Sequence, residues 1–390
     1  MKPVLSLAAA VMLALLPLTS QARVVTDMRG VDVTVPDDPQ TVATIDDGFI
    51  EEVMTHLGVI SKVKVIGSWS MKRDYRYVIP SRSGESREYR GWHTMKYLHP
   101  WLNDLPCVNA PQGNVISFET LASAAPDVVI LRVGDTPVGT DKDKVKRTVN
   151  TIEALGLPLV VLYSPTWFRS SDLASMKTEA GIIGELFGKR EQAERLADSL
   201  AKTEAMIRER TKDVPESERP SVLLLGLRPD VRKKGGAGSV QGVDTPESYI
   251  IEQVAHARNA YRGKGTAVPM SAEQIYACEP DVVILPTANG YHPPRELYDA
   301  PYYENLQELQ AVKHRKVYAL PWSPMNASRR VEYPLDMLII AKAAYPERFA
   351  DISVYDFALR FYQDVYGVDE KTARGLRSTQ LLDWMDEADF

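Results

Sequence analysis

The sequence has little cysteine and lacks the short motifs of several enzyme classes. Its two cysteines are too few thiolates to hold an iron–sulfur or related metal cluster. It has no Gly-x-Ser-x-Gly nucleophile elbow and no Gly-x-Gly-x-x-Gly fingerprint of dinucleotide binding. The glycine-rich stretch 233–239 lacks the residue order of a phosphate loop. These absences argue against catalysis and favour a protein that acts by binding.

Histidine is scarce as well. None of the six histidines belongs to an HxxxH or HExxH motif, and there is no histidine-rich tract. Direct capture of zinc or manganese would need three or four convergent ligands, so a receptor for a bare metal ion is disfavoured. His93 and His99 lie among tyrosines and tryptophans, which leaves haem open as a ligand.

The charge balance is mildly acidic, with 46 Lys and Arg against 52 Asp and Glu and a net charge of −6. Nothing in this balance points to a nucleic-acid partner. A hydrophobic content of 44% and a charged content of 25% are those of an ordinary globular protein. They argue against a disordered chain and against a membrane protein with many spans.

The N-terminus has the pattern of a secretory signal peptide over residues 1–22. Lys2 precedes an apolar run from Val4 to Leu18, and Ser20-Gln21-Ala22 offers small residues to a peptidase. A membrane anchor is the rival interpretation, but the run is shorter than the ~20 residues of a span and contains Pro17. No cysteine follows the cleavage site, so we expect a free periplasmic protein without a lipid anchor. Cys107 and Cys278 are expected to be unpaired, with a disulfide bridge as the alternative.

One segment occurs twice. Residues 116–131 (ISFETLASAAPDVVIL) match residues 270–285 (MSAEQIYACEPDVVIL) at eight of sixteen positions without a gap. A duplicated unit predicts two similar lobes, with a ligand in the crevice between them.

The apolar runs predict the α/β class, with a mainly parallel sheet and flanking helices in each lobe. Unbroken β-branched runs are typical of strands buried on both faces. We predict an N-terminal lobe at 23–168, one long connecting helix within 169–213, and a C-terminal lobe with terminal helices at 214–390. The predicted strands are 63–67, 128–131, 158–162, 222–227, 282–285 and 316–320.

These features resemble the helical-backbone periplasmic binding proteins, the solute receptors of importers for ferric siderophores, haem and cobalamin. The segment SPMNASRRVEYPLDMLIIAKAAYPERFADISVYDFALRFYQDVYG at 323–367 is similar to the iron-complex branch, which also has molybdate and tungstate relatives. The resemblance implies a two-lobed monomer without an intrinsic cofactor that hands its ligand to an ABC permease. The fold is also similar to that of nitrogenase-type enzymes, which the cysteine count makes a poor alternative.

The resemblance implies a role for Glu119 and Glu273, which hold equivalent positions in the two copies. In the family, a glutamate at this place on each lobe docks onto arginines of the permease. A carboxylate on each lobe would report whether the lobes are correctly spaced. The alternative is that both residues only begin helices, since acids are favoured in a first turn.

The ligand is expected among the loops that leave the carboxyl ends of the strands. These loops are rich in arginine, which recognises carboxylates and oxyanions, and in aromatic rings, which cover a chelate. The residues predicted to bind are Trp69, Arg73, Tyr75, Arg132, Trp167, Arg228, Tyr291, His292, Trp322, Arg329 and Arg330.

The stretch from Trp69 to Trp101 contributes to this set. Its 33 residues hold seven aromatics and seven Lys or Arg against three acids. A loop of that length is usually functional or disordered, and its aromatic content argues against disorder. It is either a wall for a bulky ligand or a packed insertion with a cationic face. We expect a ferric siderophore or another metal chelate as ligand, with molybdate or tungstate next and haem or cobalamin after them.

Overall fold

The computed structural model describes residues 22–109, 115–168, 172–286, 293–322 and 330–390. Within these ranges the chain forms strands β1 (Ala22–Thr26), β2 (Asp32–Pro36), β3 (Val42–Ile45), β4 (Val63–Val65), β5 (Tyr75–Pro80), β6 (Ser86–Gly91), β7 (Val128–Val133), β8 (Leu159–Tyr163), β9 (Ser221–Gly226), β10 (Gly238–Val240), β11 (Arg258–Asn259), β12 (Val268–Met270), β13 (Val282–Leu285) and β14 (Val317–Ala319).

The same ranges hold helices α1 (Phe49–His56), α2 (Thr94–Leu98), α3 (Phe118–Ala124), α4 (Lys142–Ala154), α5 (Ser175–Leu186), α6 (Arg190–Thr211), α7 (Pro229–Lys233), α8 (Pro246–Tyr249), α9 (Ala272–Ala277), α10 (Pro294–Asp299), α11 (Gln310–Lys313), α12 (Tyr333–Ala344), α13 (Val354–Tyr366), α14 (Glu370–Thr379) and α15 (Trp384–Glu387). A π-helical turn, Ile250–Val254, continues α8.

Each lobe is built on its own sheet. Lobe one contains the parallel sheet β4-β3-β7-β8. Lobe two contains β12-β10-β9-β13-β14, in which β9, β13 and β14 run parallel and β10 is antiparallel to both of its neighbours. The predicted α/β class is therefore confirmed, and the runs 128–131 and 282–285 lie in fully buried central strands.

The repeated segment has the same local structure in both lobes. In each copy a short helix, α3 or α9, is followed within two residues by one with positive φ, Ala125 (φ 41°) or Glu279 (φ 43°), and then by a central strand. The Asp127 carboxylate accepts the Thr41 backbone N–H (2.8 Å) just before β3. The Asp281 carboxylate accepts the Ser221 N–H (2.7 Å) at the start of β9. The Pro-Asp pair thus fixes the beginning of the neighbouring parallel strand in each lobe.

The prediction of a single connecting helix is wrong. The connector consists of two helices, α5 and α6, separated by Phe187, Gly188 and Lys189. Gly188 adopts φ 66°, and the Lys189 N–H donates to the Gly184 carbonyl (2.7 Å), which closes the end of α5. α6, with 22 residues and a length of about 33 Å, is the longer of the two.

The helical layer joins the two lobes through a shared hydrophobic core. This core runs from Val128 and Ile130 of lobe one, through α5, α6 and α12, to Leu224 and Ile284 of lobe two. The predicted helices after Pro346 are present, and α13 also reaches lobe one, since the His56 Nδ1 lies 2.7 Å from the Val365 carbonyl oxygen. Cys107 and Cys278 are unpaired, as predicted.

Candidate functional site

The strand ends of lobe one that face lobe two carry short polar loops. Asp46 and Asp47 follow β3, Ser68 follows β4, and Arg132 and Asp135 lie at the end of β7. All five side chains are buried. The carboxyl ends of parallel strands meet at one edge of a sheet, which brings these groups together at the edge that faces lobe two.

Asp47 is the centre of a buried polar group. One of its carboxylate oxygens accepts hydrogen bonds from the Ser68 and Ser70 hydroxyls. His93, also fully buried, places Nε2 3.1 Å from the Asp47 carbonyl oxygen, and its Nδ1 accepts the Met95 N–H (3.1 Å). Burial raises the pKa of Asp47 to about 6 and lowers the pKa of His93 to about 3. Because both ring nitrogens of His93 are engaged, this side chain is not available as an axial haem ligand.

Helix α1 begins just after Asp47 and carries two more buried carboxylates, Glu51 and Glu52. The Asp46 carboxylate accepts the Ile50 N–H (3.0 Å), so the start of this helix is neutralised by the chain's own acid. Burial raises the pKa of Glu51, with Asp46 adding to the effect, and burial and Glu332 raise that of Glu52. A small anion would find the Ile50 N–H already bonded to Asp46 instead of a free donor.

Arg330 enters this group from lobe two. Its Nε lies 3.9 Å from Glu52, and the Val331 N–H donates to the other Glu52 oxygen (2.8 Å). Burial alone would lower the pKa of Arg330, but Glu332, Glu52 and Asp47 raise it. Its Nη2 lies 3.4 Å from the Trp322 carbonyl oxygen, whereas Nη1 has no hydrogen-bond partner among the described residues. Among the predicted arginines that the structure describes, Arg330 is the one that meets the buried acids of both lobes.

Arg132 lies deeper. Its guanidinium is ion-paired with Glu179 of α5, with Asp135 (2.9 Å) and with Asp46 (3.7 Å), and it covers the Phe49 ring at 4.2 Å. The side chain has no exposed surface. Its predicted contact with a ligand stays a prediction without support from this geometry.

Three of the residues predicted to bind the ligand, Trp69, Arg73 and Tyr75, lie together. The Arg73 guanidinium lies over the Trp69 ring at 4.9 Å and the Tyr75 ring at 5.0 Å. Arg73 is exposed and Trp69 is half-buried. Burial, and then the nearby Asp47 carboxylate, raise the pKa of Tyr75. The three side chains form a cationic and aromatic patch beside the buried acids.

The remaining predicted ligand residues are scattered. Trp322 is fully buried beneath Tyr75, at 4.7 Å between ring centroids. Trp167 stacks on Tyr163 at 5.1 Å in lobe one. Arg228 pairs with Asp230 and lines a depression next to Ser271, apart from the Asp47 group. Tyr291, His292 and Arg329 lie outside the described residues.

Glu119 and Glu273 occupy equivalent places on the two lobes. Each is exposed and lies in the first turn of its helix, two residues after the N-cap serine, Ser117 or Ser271. Both serine hydroxyls accept a backbone N–H at 3.3 Å. The helix-starting role is therefore present. Both carboxylates are exposed, and a hydrogen bond from the Ser271 side chain lowers the pKa of Glu273.

Sequence reasoning missed Glu51, Glu52, Glu179 and Glu332. For Glu51 and Glu52, the signal in the sequence was the string IDDGFIEEV, where four acids interrupt an apolar stretch at the start of a helix. Lone acids on helices are normally solvated, so this string alone did not indicate burial. Among the described residues, no cluster of three or more His, Cys, Asp or Glu has the geometry to hold a metal ion.

The periplasmic binding protein family model matches residues 90–324, which is more than half of the chain. The chain belongs to the periplasmic binding protein family. In the described part of this family member, none of the helices is both long and apolar enough for a membrane crossing.

Individual relatives are distant. The molybdate-binding protein MolA of Haemophilus influenzae is 21% identical over 372 residues, covering 89% of this chain and 93% of MolA. A periplasmic solute binding protein from Veillonella parvula superimposes with a TM-score of 0.69 at 22% identity, covering 95% of this chain and 100% of that one. The siderophore binding protein BauB, solved with acinetobactin and ferric iron, has a TM-score of 0.57 at 15% identity, covering 84% and 100%. These structures share the two-lobed fold with this chain.

Proposed function

We propose that this protein is the periplasmic solute receptor of an ABC importer and that it binds a metal chelate, with a ferric siderophore as first choice, between its lobes. The chain would act by binding and delivery, without bond chemistry and without an intrinsic cofactor. The observation that carries the ligand class is the contrast between the buried acids at the start of α1 and the cationic, aromatic patch of Trp69, Arg73 and Tyr75.

The patch of Trp69, Arg73 and Tyr75 favours a ligand that presents anionic or aromatic groups at its edge. The exposed Arg73 guanidinium, which lies over both rings, can pair with ligand oxygens, and the half-buried Trp69 ring can cover a flat ligand edge. A small dianion at the α1 terminus would instead lie near Asp46, Asp47, Glu51 and Glu52. The Ile50 N–H at that terminus already donates to Asp46, so a bound anion would have to compete with this carboxylate for its donor.

An oxyanion receptor is the second candidate, because MolA is similar to this chain over most of both sequences. Molybdate or tungstate would need hydrogen-bond donors that outweigh the acids. Arg330 supplies a buried guanidinium nitrogen, Nη1, that has no hydrogen-bond partner within the part of the chain that the structure describes. Haem is a weaker candidate, since both nitrogens of His93 are engaged.

The ligand can be identified on protein purified from its own periplasm, by native mass spectrometry combined with elemental analysis. We expect an adduct of several hundred daltons or more that carries iron. If molybdenum or tungsten is found with a small added mass, the ligand is an oxyanion and not a chelate. Iron that is recovered without an organic adduct would contradict both candidates.

We propose in addition that Glu119 and Glu273 dock onto the permease. Both are exposed, and each is at the same position of its repeat, so the spacing of the lobes sets the spacing of the two carboxylates. Two separated charges fix the register of a partner better than one.

Reversing both charges (Glu119→Arg with Glu273→Arg) is expected to abolish uptake of the ligand identified above while its affinity stays within about twofold, since neither residue belongs to the cleft. A matched control is Glu191→Arg with Glu308→Arg, which reverses two exposed acids outside the repeat. Radiolabelled uptake by cells and titration calorimetry on the purified variants separate the two effects. Lost affinity in the docking variant, or equal loss of uptake in the control, would contradict the assignment.

A further inference from the structure

The hairpin β5–β6 belongs to lobe one at its base. Its strands pair in full antiparallel register from Tyr75 with Gly91 to Pro80 with Ser86. The segments on either side of it carry Met71 and Met95, which are fully buried in the core shared by lobe one and the helical layer. Across the base, the Lys96 ammonium pairs with Asp74 at 2.6 Å.

The hairpin packs on lobe two along one face. Tyr75 and Ile79 are part of the second hydrophobic cluster, together with the strands β9, β13 and β14 of lobe two, and Tyr77 packs against it. The Trp322 Nε1 donates to the Tyr77 hydroxyl (3.3 Å). A Cβ at Gly91 would lie 2.9 Å from the Trp322 ring, so only glycine permits this close approach.

The tip of the hairpin is hydrogen-bonded to lobe two. The Arg82 backbone N–H donates to the Asp299 carbonyl oxygen (2.8 Å), and its guanidinium donates to the Gln307 side chain (3.1 Å) and the Tyr298 carbonyl oxygen. The opposite face of the hairpin carries Arg76 and Glu88, which pair with each other at the surface. Alternation with period two thus directs one face to lobe two and the other to solvent.

The hairpin and the helical layer hold lobe two from opposite sides of its sheet. Leu224 and Ile284 point into the core that contains α5, α6 and α12, whereas Leu223, Leu225 and Val283 point into the cluster that contains the hairpin residues. Successive residues of a strand face opposite sides of a sheet. A rotation of lobe two about α6 would therefore have to pull Tyr75 and Ile79 out of the second cluster.

We infer that hairpin 75–91 is an interlobe tie, which fixes the spacing of the two lobes whether or not a ligand is bound. The tie also anchors Trp322, whose indole donates to the Tyr77 hydroxyl. The inference does not depend on the identity of the ligand. For the stretch from Trp69 to Trp101, where a ligand wall and a packed insertion were the two expectations, the contacts of hairpin 75–91 support a packed insertion in that part of the stretch.

The test measures the distance between the lobes without any ligand. Spin labels are placed at Asn150→Cys in α4 and Gln310→Cys in α11, both exposed, in a background with Cys107→Ala and Cys278→Ala. Pulsed electron paramagnetic resonance then gives the distance distribution. One variant replaces residues 77–89 by an Asn-Gly turn. A milder variant combines Arg82→Ala with Tyr77→Phe, and Arg76→Ala on the solvent face is the matched control.

We expect one narrow distribution for the parent and for Arg76→Ala, a broader distribution for the Arg82→Ala/Tyr77→Phe variant, and a shift to longer distances for the shortened hairpin. Circular dichroism establishes that each variant is folded. A folded, shortened variant with the parent distribution would overturn the tie. If the shortened variant does not fold, the Arg82→Ala/Tyr77→Phe variant becomes the test. A distance distribution equal to that of Arg76→Ala would then overturn the tie.

Discussion

Replacing Arg132 with methionine is expected to destabilise the protein by about 3–5 kcal/mol. The guanidinium is the common partner of Glu179, Asp135 and Asp46 and has no exposed surface. Methionine fills similar volume but leaves three carboxylates in a buried site without their cation. Breaking a buried ion pair costs more than the pair contributes, because the remaining charge stays desolvated. Chemical denaturation at neutral pH measures the loss.

A matched control separates this effect from the general cost of losing an arginine. Arg190→Met removes an exposed guanidinium that pairs with Glu185 and Glu194, and we expect a cost below about 1 kcal/mol. Adding Glu179→Met to Arg132→Met should recover part of the loss, since one of the orphaned charges is removed. Equal losses for Arg132→Met and Arg190→Met would contradict the role that the structure gives to Arg132.

Local patterns predicted the parts of the fold that local forces determine. The runs at 128–131 and 282–285 were recognisable because a parallel strand covered on both faces needs apolar residues at every position. The break between α5 and α6 was missed because the apolar spacing continues through Gly188, while the left-handed conformation of that residue ends the helix. The conformation of one glycine therefore ended a helix that the apolar pattern on both sides of it had predicted to continue.

The site was less predictable than the fold because its contacts are distant in sequence. Loop residues at strand ends could be named in advance: Tyr75 and Arg330 do lie near Asp47, and Arg73 lies over the Tyr75 ring. No local sequence pattern indicates that Glu52 contacts Arg330, or that Tyr75 packs on Trp322. The alternation of Tyr75, Tyr77 and Ile79 shows a strand with one apolar face, but it does not say which lobe that face covers.

Replacing Arg330 with methionine is expected to destabilise the protein by about 3–5 kcal/mol at pH 8. This guanidinium is the nearest cation to Glu52, and its charge also acts on Glu332 and Asp47. All three carboxyl groups are buried, and burial already raises the pKa values of Asp47 and Glu52. Without Arg330 their pKa values rise further above those of the unfolded chain, which lie near 4.

The loss should therefore depend on pH, and its sign follows from proton uptake. A carboxyl with a raised folded pKa binds more protons in the folded than in the unfolded state between the two pKa values, so stability falls as pH rises through that window. Each such proton contributes about 1.4 kcal/mol per pH unit. We expect the cost of Arg330→Met to be smaller at pH 6 than at pH 8 by roughly 1–3 kcal/mol. Denaturation curves at both pH values, with Arg374→Met in an exposed pair with Glu370 as control, measure this difference. A cost that is the same at both pH values would mean that the acids at the lobe interface do not depend on Arg330 for their charge.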